Sequence, residues 1–376
     1  MNQGFCSGNL SDMANSKKIR VAVLYGGRSG EHEIALRSAA SVIKNLDTTR
    51  FEVVPISIDK QGRWHLNDIS LIQKSAGSAL PIFKDAPEMV ALPSPGGIAV
   101  DVVFPVLHGP MGEDGTVQGL LELAEVPYVG SGVLASAVGM DKDVAKRLAR
   151  DAGLPIVPYV CLKSNSWKLK KQSENERIAR ELGFPVFVKP SNMGSSVGVH
   201  KVKDASGLQA ALEDAFKYDT KVLVEAAISA REIELSVLEN PEAGQPPLVS
   251  VPGEIVPQHE FYSYEAKYLD ENGAKLMIPA KISTEQTAAV QQLGRAIFLA
   301  LECEGMARVD LFLDKNTGKI YFNEVNTIPG FTSISMYPKL WEASGIPYKE
   351  LLSRLIDLAI KRNVNKRMLS REYKAD

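Results

Sequence analysis

The sequence has little cysteine, no long apolar run and almost no excess of charge. Its three cysteines, Cys6, Cys161 and Cys303, are widely separated, which excludes a paired-cysteine metal site and fits a reducing cytoplasm. No apolar stretch is long enough to span a bilayer. Residues 1–18 are polar and rich in Ser and Asn, without an apolar core of signal-peptide length, and read as a disordered tail. A formal net charge of -2 and a pI near 6.3 give no electrostatic case for nucleic acid or for an anionic membrane. The basic cluster Lys361, Arg362, Lys366 and Arg367 ends an amphipathic helical pattern and reads as a solvated terminus. What remains is an ordinary globular chain: 376 residues, 45% hydrophobic, enough to build two or three domains.

The most demanding chemistry is concentrated in Arg308-Val309-Asp310 and in the stretch from Glu324 to Gly330. In extended strands alternate side chains share a face, so Arg308 pairs with Asp310 and Glu324 with Asn326. If the strands form a hairpin through the turn Asp314-Lys315-Asn316-Thr317-Gly318, all four polar groups stand on one face. Two carboxylates and an amide oxygen make a hard, oxygen-only donor set of the kind Mg2+ uses when it also holds phosphates. Arg308 adds a fixed cation for developing anionic charge. Any one of these residues would be unremarked as the wet side of a hairpin. Four at period two, running into a Thr-Ile-Pro-Gly turn, favour a site.

Earlier in the chain, the β-branched run from Ile19 to Tyr25 breaks at Gly26-Gly27 and leads through Ser29-Gly30-Glu31-His32-Glu33 into a helical pattern from Ile34 to Leu46. Strand, glycine turn and helix together bring backbone N–H groups to a ligand. Glu33, in the first helical turn, suits either dipole compensation or a ligand ammonium. Further strands are expected at 51–58 and 101–107. The latter ends in His108-Gly109-Pro110-Met111-Gly112-Glu113-Asp114-Gly115-Thr116. The alternation predicts a doubly wound first domain with ligands at the strand ends. His108 fits a ligand role and a plain backbone hydrogen bond equally.

A domain boundary is expected between Gly130 and Leu154, around the helix that carries Lys142. The apolar strand from Phe184 to Pro190 is charged only at Lys189. The loop from Ser191 to Val199, with Gly194-Ser195-Ser196-Val197-Gly198, offers N–H and hydroxyl donors to phosphates, although it lacks the P-loop pattern. Glu225 ends another strand and suits a ribose hydroxyl or a simple capping role. The segment from Arg231 to Val237 alternates polar and apolar residues and could wall an adenine slot.

Taken in order, Lys142, Lys189, the loop from Gly194 to Gly198, Glu225, Arg308, Asp310, Glu324 and Asn326 resemble the ATP-grasp ligases, and among them the D-alanine–D-alanine ligase family. Tyr25-Gly26-Gly27 with Glu31-His32-Glu33, His108-Gly109, Met140-Asp141-Lys142, the segment from Tyr262 to Tyr268, and Asn323 through Ser335 carry the same resemblance. It extends from about Ile19 to Ile360. It implies a three-domain α/β fold: a disordered tail at 1–18, a doubly wound parallel-sheet domain at 19–140, a small α+β lid domain at 141–228, and an α+β domain with an antiparallel sheet at 229–376.

The resemblance also implies roles. Lys142 and Lys189 would hold nucleotide phosphates, with the loop of Ser195 and Ser196 folded over them and Lys267 also binding ATP, Glu225 and Glu232 the adenosine end, and Asp310, Glu324 and Asn326 two Mg2+ (or Mn2+) ions. Glu33 would take the ammonium of the first D-alanine, with His108, Ser335 and Met336 around the substrates and Ser335 on the second carboxylate. Ser195, Tyr268 and Glu33 would tie the closing loops together, and Arg308 with the Gly330 N–H would form an oxyanion hole. The implied reaction runs through an acyl phosphate to the dipeptide used in peptidoglycan precursors, in a cytoplasmic homodimer binding neither nucleic acid nor membrane. Tyr268 beside Lys267 favours the type that forms D-alanyl-D-alanine over relatives that make D-alanyl-D-lactate or D-alanyl-D-serine. A non-catalytic nucleotide- or amino-acid-binding regulator is the alternative from another class. Ala35 stands where the family usually has serine.

Overall fold

A computed structural model describes residues 17–74, 79–83, 86–89, 99–257 and 274–371. Among these residues, three sheets organise the fold. The first has the order 88–89, 64–66, 51–58, 19–26, 102–106. Ile19–Gly26 lies parallel to Phe51–Ile58 on one side and to Val102–Val106 on the other. Its residues Ala22 and Leu24 are buried in one apolar cluster and Val21, Val23 and Tyr25 in another, as a sheet covered on both faces requires. The expected parallel winding therefore holds for these three strands. At the edge it gives way to antiparallel pairing of Trp64–Leu66 with Phe51–Ile58. The connection there is too short for a crossover, and the Asp59 carboxylate closes it by accepting from the Gln61 and Arg63 amides at 2.9 and 3.0 Å.

The helix His32–Asn45 follows the glycine turn. Gly26 has φ of +90° and packs so closely that a Cβ would run into the Ile58 carbonyl, which explains the glycine. The second sheet, ordered 159–163, 221–226, 186–190, 200–202, is wholly antiparallel. Its apolar face is covered by Trp167, Ile178, Leu208 and Leu212 from the neighbouring helices.

The third sheet pairs Ala274–Met277, Gly253–Pro257, Ala230–Leu238, Met306–Asp314 and Ile320–Asn326, again antiparallel. Behind it runs the helix Thr284–Ala300, started by a reciprocal Ser283–Gln286 capping box. The last helix, Tyr348–Arg367, returns to the first sheet, where Leu351, Leu355 and Ile356 share a core with Val21 and Phe104. Its basic cluster is not simply solvated. Arg362 donates to the Gly130 and Tyr128 carbonyls at 2.6 and 2.8 Å, Lys361 to Pro241 O at 2.8 Å, and Lys366 meets Glu122 at 2.6 Å. The helix crosses open carbonyls between two sheets, and its cations satisfy them. Among the described residues no helix is long and apolar enough to cross a membrane.

Candidate active site

The hairpin 306–326 forms as its period-two pattern predicts. Asp314 Oδ1 accepts from the Asn316 and Thr317 amides at 2.7 and 2.9 Å, closing the turn, and Gly318 takes φ of +69°. Asp310 lies directly across from Glu324, and Arg308 from Asn326. A register shift follows Asp310, the kind of irregularity that re-aims a side chain. On the other side Asp310 faces Glu234, so three acids form one row across three strands.

Like charges side by side oppose the sheet unless cations meet them. Arg308 meets them: it grips Asp310 with two hydrogen bonds of 2.7 Å and reaches Glu234 at 3.2 Å. Burial works against the Arg308 charge, but the neighbouring Asp310 and Glu234 carboxylates raise its pKa further still above its usual range. Asn326 Nδ2 donates to Asp310 at 3.1 Å, and Lys142 approaches Glu324 at 3.3 Å. Sequence reasoning did not select Glu234. Its signal was the alternation of polar residues from Glu232 to Ser236.

A cavity of about 930 Å³ opens in front of this row. Lys142, Ser195, His108, Arg308, Glu324, Asn326, Gly330, Ser335 and Met336 all line it. Asp310 is buried beside Arg308. Lys189 and Glu225 are buried in the second sheet and pair with each other at 2.7 Å. Glu232 shares the strand face of Glu234, two residues on. Lys267 and Tyr268 lie outside the described residues.

The loop after Lys189 is drawn over the cavity. Asn192 anchors its base on Asp219 through its amide N–H and Nδ2 at 2.7 and 2.9 Å, and Lys142 Nζ donates to the Met193 carbonyl at 2.8 Å. Ser195 and Ser196 both take left-handed φ, +52° and +60°, a strain that non-glycine residues sustain where surrounding contacts enforce it. Ser196 is half-buried beside Ser195 at the loop tip.

The acid that Ser195 meets is Glu31, not Glu33: the Ser195 hydroxyl donates to the Glu31 carboxylate. Glu31 is buried and lines the cavity, whereas Glu33 is exposed and pairs with Lys60 at 2.9 Å. The Lys60 hydrogen bond holds the Glu33 carboxyl below its ordinary value. The helix begins at His32, two residues before the periodicity suggested. Residues 31 and 33 therefore leave the chain on different sides, and only the first faces inward. Two glycines make room for it. A Cβ on Gly109 or Gly194 would stand 2.6 or 2.8 Å from a Glu31 oxygen.

His108 pins the wall opposite. Its Nδ1–H donates to the Ile328 carbonyl at 3.0 Å, and its Nε2 accepts from Ser38 Oγ at 3.0 Å, the serine in turn accepting the Phe331 amide at 3.2 Å. A carbonyl can only accept, which fixes the tautomer. Burial pushes the imidazole pKa down, so it stays neutral. Both of its bonds hold the segment that carries Gly330. A Cβ on that residue would come within 2.7 Å of Ser335 Oγ and displace the serine hydroxyl. Ser335 Oγ accepts from the Thr332 amide at 3.0 Å at the head of the helix Met336–Ala343. Glu113 also lines the cavity, with Oε1 accepting from the Gly109 amide at 2.7 Å. Burial, then the nearby Glu31 charge, pushes its carboxyl up to about 8.

Comparisons with known proteins place the chain in a family. The family model described as the D-ala D-ala ligase N-terminus matches residues 20–131, and the one described as the D-ala D-ala ligase C-terminus matches 148–357. The D-alanine–D-alanine ligase A of Bradyrhizobium diazoefficiens is 57% identical over 372 residues, covering 95% of this chain and 99% of its own. A solved D-alanine-D-alanine ligase from Coxiella burnetii superposes with a TM-score of 0.78 at 38% identity, over 94% of this chain and 97% of its own. The VanG D-Ala:D-Ser ligase from Enterococcus faecalis gives 0.77 at 37% identity, over 91% and 100%. With both family models in sequence order and relatives matched along nearly their full length, the chain belongs to the D-alanine–D-alanine ligase family, with its ATP-grasp fold.

Proposed function

We propose that this chain couples the cleavage of ATP to the joining of two D-alanine molecules, giving D-alanyl-D-alanine for peptidoglycan precursors, ADP and phosphate. The observation that carries this reading is the convergence of Glu31, Ser195, Arg308, Gly330 and the acid–amide row on one cavity. Lys142, Lys189, Ser195 and Ser196 would receive the phosphates, Glu225 and Glu232 the adenosine end, and Lys267 would also bind ATP. Glu31, in place of Glu33, would take the first ammonium. Ser335 would take the second carboxylate, with Met336 and His108 shaping the pocket and Tyr268 joining Ser195.

Asp310, Glu324 and Asn326 suit Mg2+ or Mn2+: the donors are all hard oxygens, and the two acids already attract Arg308 and Lys142. When bound, such ions would neutralise phosphate charge. An oxygen of the first D-alanine carboxylate attacks the γ-phosphorus of ATP, and ADP leaves. The neutral amine of the second D-alanine then attacks the acyl carbon. The Arg308 guanidinium and Gly330 N–H meet the oxyanion, a contribution of about 2.7 to 4 kcal/mol for one such donor. The C–O bond to phosphate breaks, and phosphate departs with that oxygen. Glu113 lines the same cavity, and its carboxylate, the minor form below about pH 8, is suited to take the amine proton.

An acyl phosphate hydrolyses in water, so the loop over the cavity serves to exclude it. The reading includes a homodimer in the cytoplasm. Exposed Val133 and Leu134 on the helix Val133–Met140 are apolar surface that a partner could cover. The test is ADP release with Mg-ATP and D-alanine, L-alanine, D-alanine plus D-lactate, or D-alanine plus D-serine, with products resolved by mass spectrometry. D-Alanine alone should give ADP and the dipeptide. ADP formed only with another acid or amine would overturn the substrate assignment, and no ADP at all would favour a binding protein.

A further inference from the structure

Lys146 takes no part in the chemistry just described, yet it is completely buried, at 0% exposure. It lies one turn beyond Lys142 on the helix Lys142–Asp151, on the same helix face. Its Nζ stands 3.0 Å from Glu225 Oε1, off the ideal hydrogen-bond direction, and donates to the Phe322 carbonyl at 3.2 Å. The Phe322 ring centroid is 5.7 Å away. The other Glu225 oxygen, Oε2, meets Lys189 at 2.7 Å. One buried carboxylate thus serves two lysines, one on each oxygen.

The strand register produces this. Lys189 faces Leu223 and Phe187 faces Glu225, so Lys189 and Glu225 are diagonal neighbours on one sheet face. Lys146 arrives from a helix outside that sheet. Burial pushes the lysine down to about 8 while Glu225 pulls it back, and burial pushes Glu225 up while the two lysines hold it below its usual value. Two cations on one anion leave a surplus positive charge, which an anionic ligand at Lys189 would balance. If Lys189 alone paired with Glu225, turning to phosphate would strand a buried carboxylate, a costly state.

We propose that Lys146 is a positioning residue that holds and neutralises Glu225, freeing Lys189 to exchange that carboxylate for nucleotide phosphate. The assignment rests on the ATP-dependent reading above and extends it to a residue outside the substrate cavity. Lys146 fixes where Glu225 sits and what charge Lys189 faces, without touching the reacting atoms.

The experiment compares the full-length wild type, Lys146→Met, Glu225→Gln and the charge-balanced double variant in ADP release, measuring KM for ATP and for D-alanine. Lys146→Met should raise the ATP KM at least fivefold and leave the D-alanine KM within twofold. In the Glu225→Gln background the same substitution should change the ATP KM less than twofold, because the anion it serves is gone. A smaller rise in the first comparison, an equal rise in both constants, or a larger change in the second overturns the assignment. If Lys146→Met does not accumulate folded, the double variant against Glu225→Gln decides it by the same criterion. Wild-type enzyme that releases no ADP with D-alanine removes the parent reading and this one with it; wild-type turnover with an unmoved ATP KM in Lys146→Met removes this one alone.

Discussion

The Ser195 hydroxyl donates to the Glu31 carboxylate across 164 positions of sequence. This bond closes the loop of the second sheet onto the helix start of the first, above the acid row of the third. Glu31 is therefore both a cavity wall and the latch of the loop that covers it.

The latch predicts non-additivity. Glu31→Gln and Ser195→Ala should each lower kcat/KM for D-alanine, Glu31→Gln by about a hundredfold, the equivalent of about 2.7 kcal/mol. The double variant should be little worse than the worse single one, because the two groups act through one contact. Glu33→Gln, which disturbs only an exposed pair with Lys60, should change kcat/KM less than about fivefold, as exposed ion pairs are worth about 1 kcal/mol or less. Steady-state kinetics on the four variants and the wild type checks all three statements.

The contrast between Glu31 and Glu33 shows where sequence reasoning stopped. Both flank His32 at the foot of a helix, and their side chains differ only in direction, which depends on the residue at which the helix begins. A boundary two residues off exchanges the inward acid for the outward one. Asp310 and Glu324 were legible because strand alternation fixes direction without a boundary, and the turn at Gly318 fixed the register. The parallel strands 19–26, 51–58 and 102–106 were legible from their apolar runs, and the antiparallel edge was not, because a strand as short as Trp64–Leu66 carries no periodicity. Lys146 gave no signal of burial: on an amphipathic helix rich in Lys and Arg it resembles its solvated neighbours.

Arg308→Lys should be more damaging than its charge conservation suggests. Lysine cannot reproduce the paired hydrogen bonds to Asp310 or the fork that also reaches Glu234. Loss of one oxyanion donor costs about 2.7 to 4 kcal/mol, so kcat should fall by about two to three orders of magnitude. Single-turnover measurement of dipeptide formation checks it.

Glu113 predicts a pH dependence of stability. Its carboxyl lies at about 8 in the folded protein against an ordinary 4.5. Between these values the folded protein holds a proton that the unfolded chain has released, so stability falls as pH rises through that window, by at most about 1.4 kcal/mol per pH unit. Glu113→Gln should flatten the slope. Urea midpoints at pH 5, 6, 7 and 8 for both proteins would show it, and parallel curves would reject it.

Ala35 is fully buried in the first helical turn, and its amide donates to the Glu31 carbonyl at 3.1 Å. Ala35→Ser adds one hydroxyl near the functional acid, worth about 0.5 to 1.5 kcal/mol if it finds a partner. The Michaelis constant for the first D-alanine should therefore change less than about tenfold. Initial rates at saturating ATP, varied in D-alanine, check the limit.

The most direct test of the central claim follows a single oxygen. With D-alanine labelled by 18O in its carboxylate, the reaction assigned here carries one labelled oxygen into the phosphate released with each ADP, while D-alanyl-D-alanine accumulates in equal amount. Phosphate free of the label, or ADP formed without dipeptide, would contradict it.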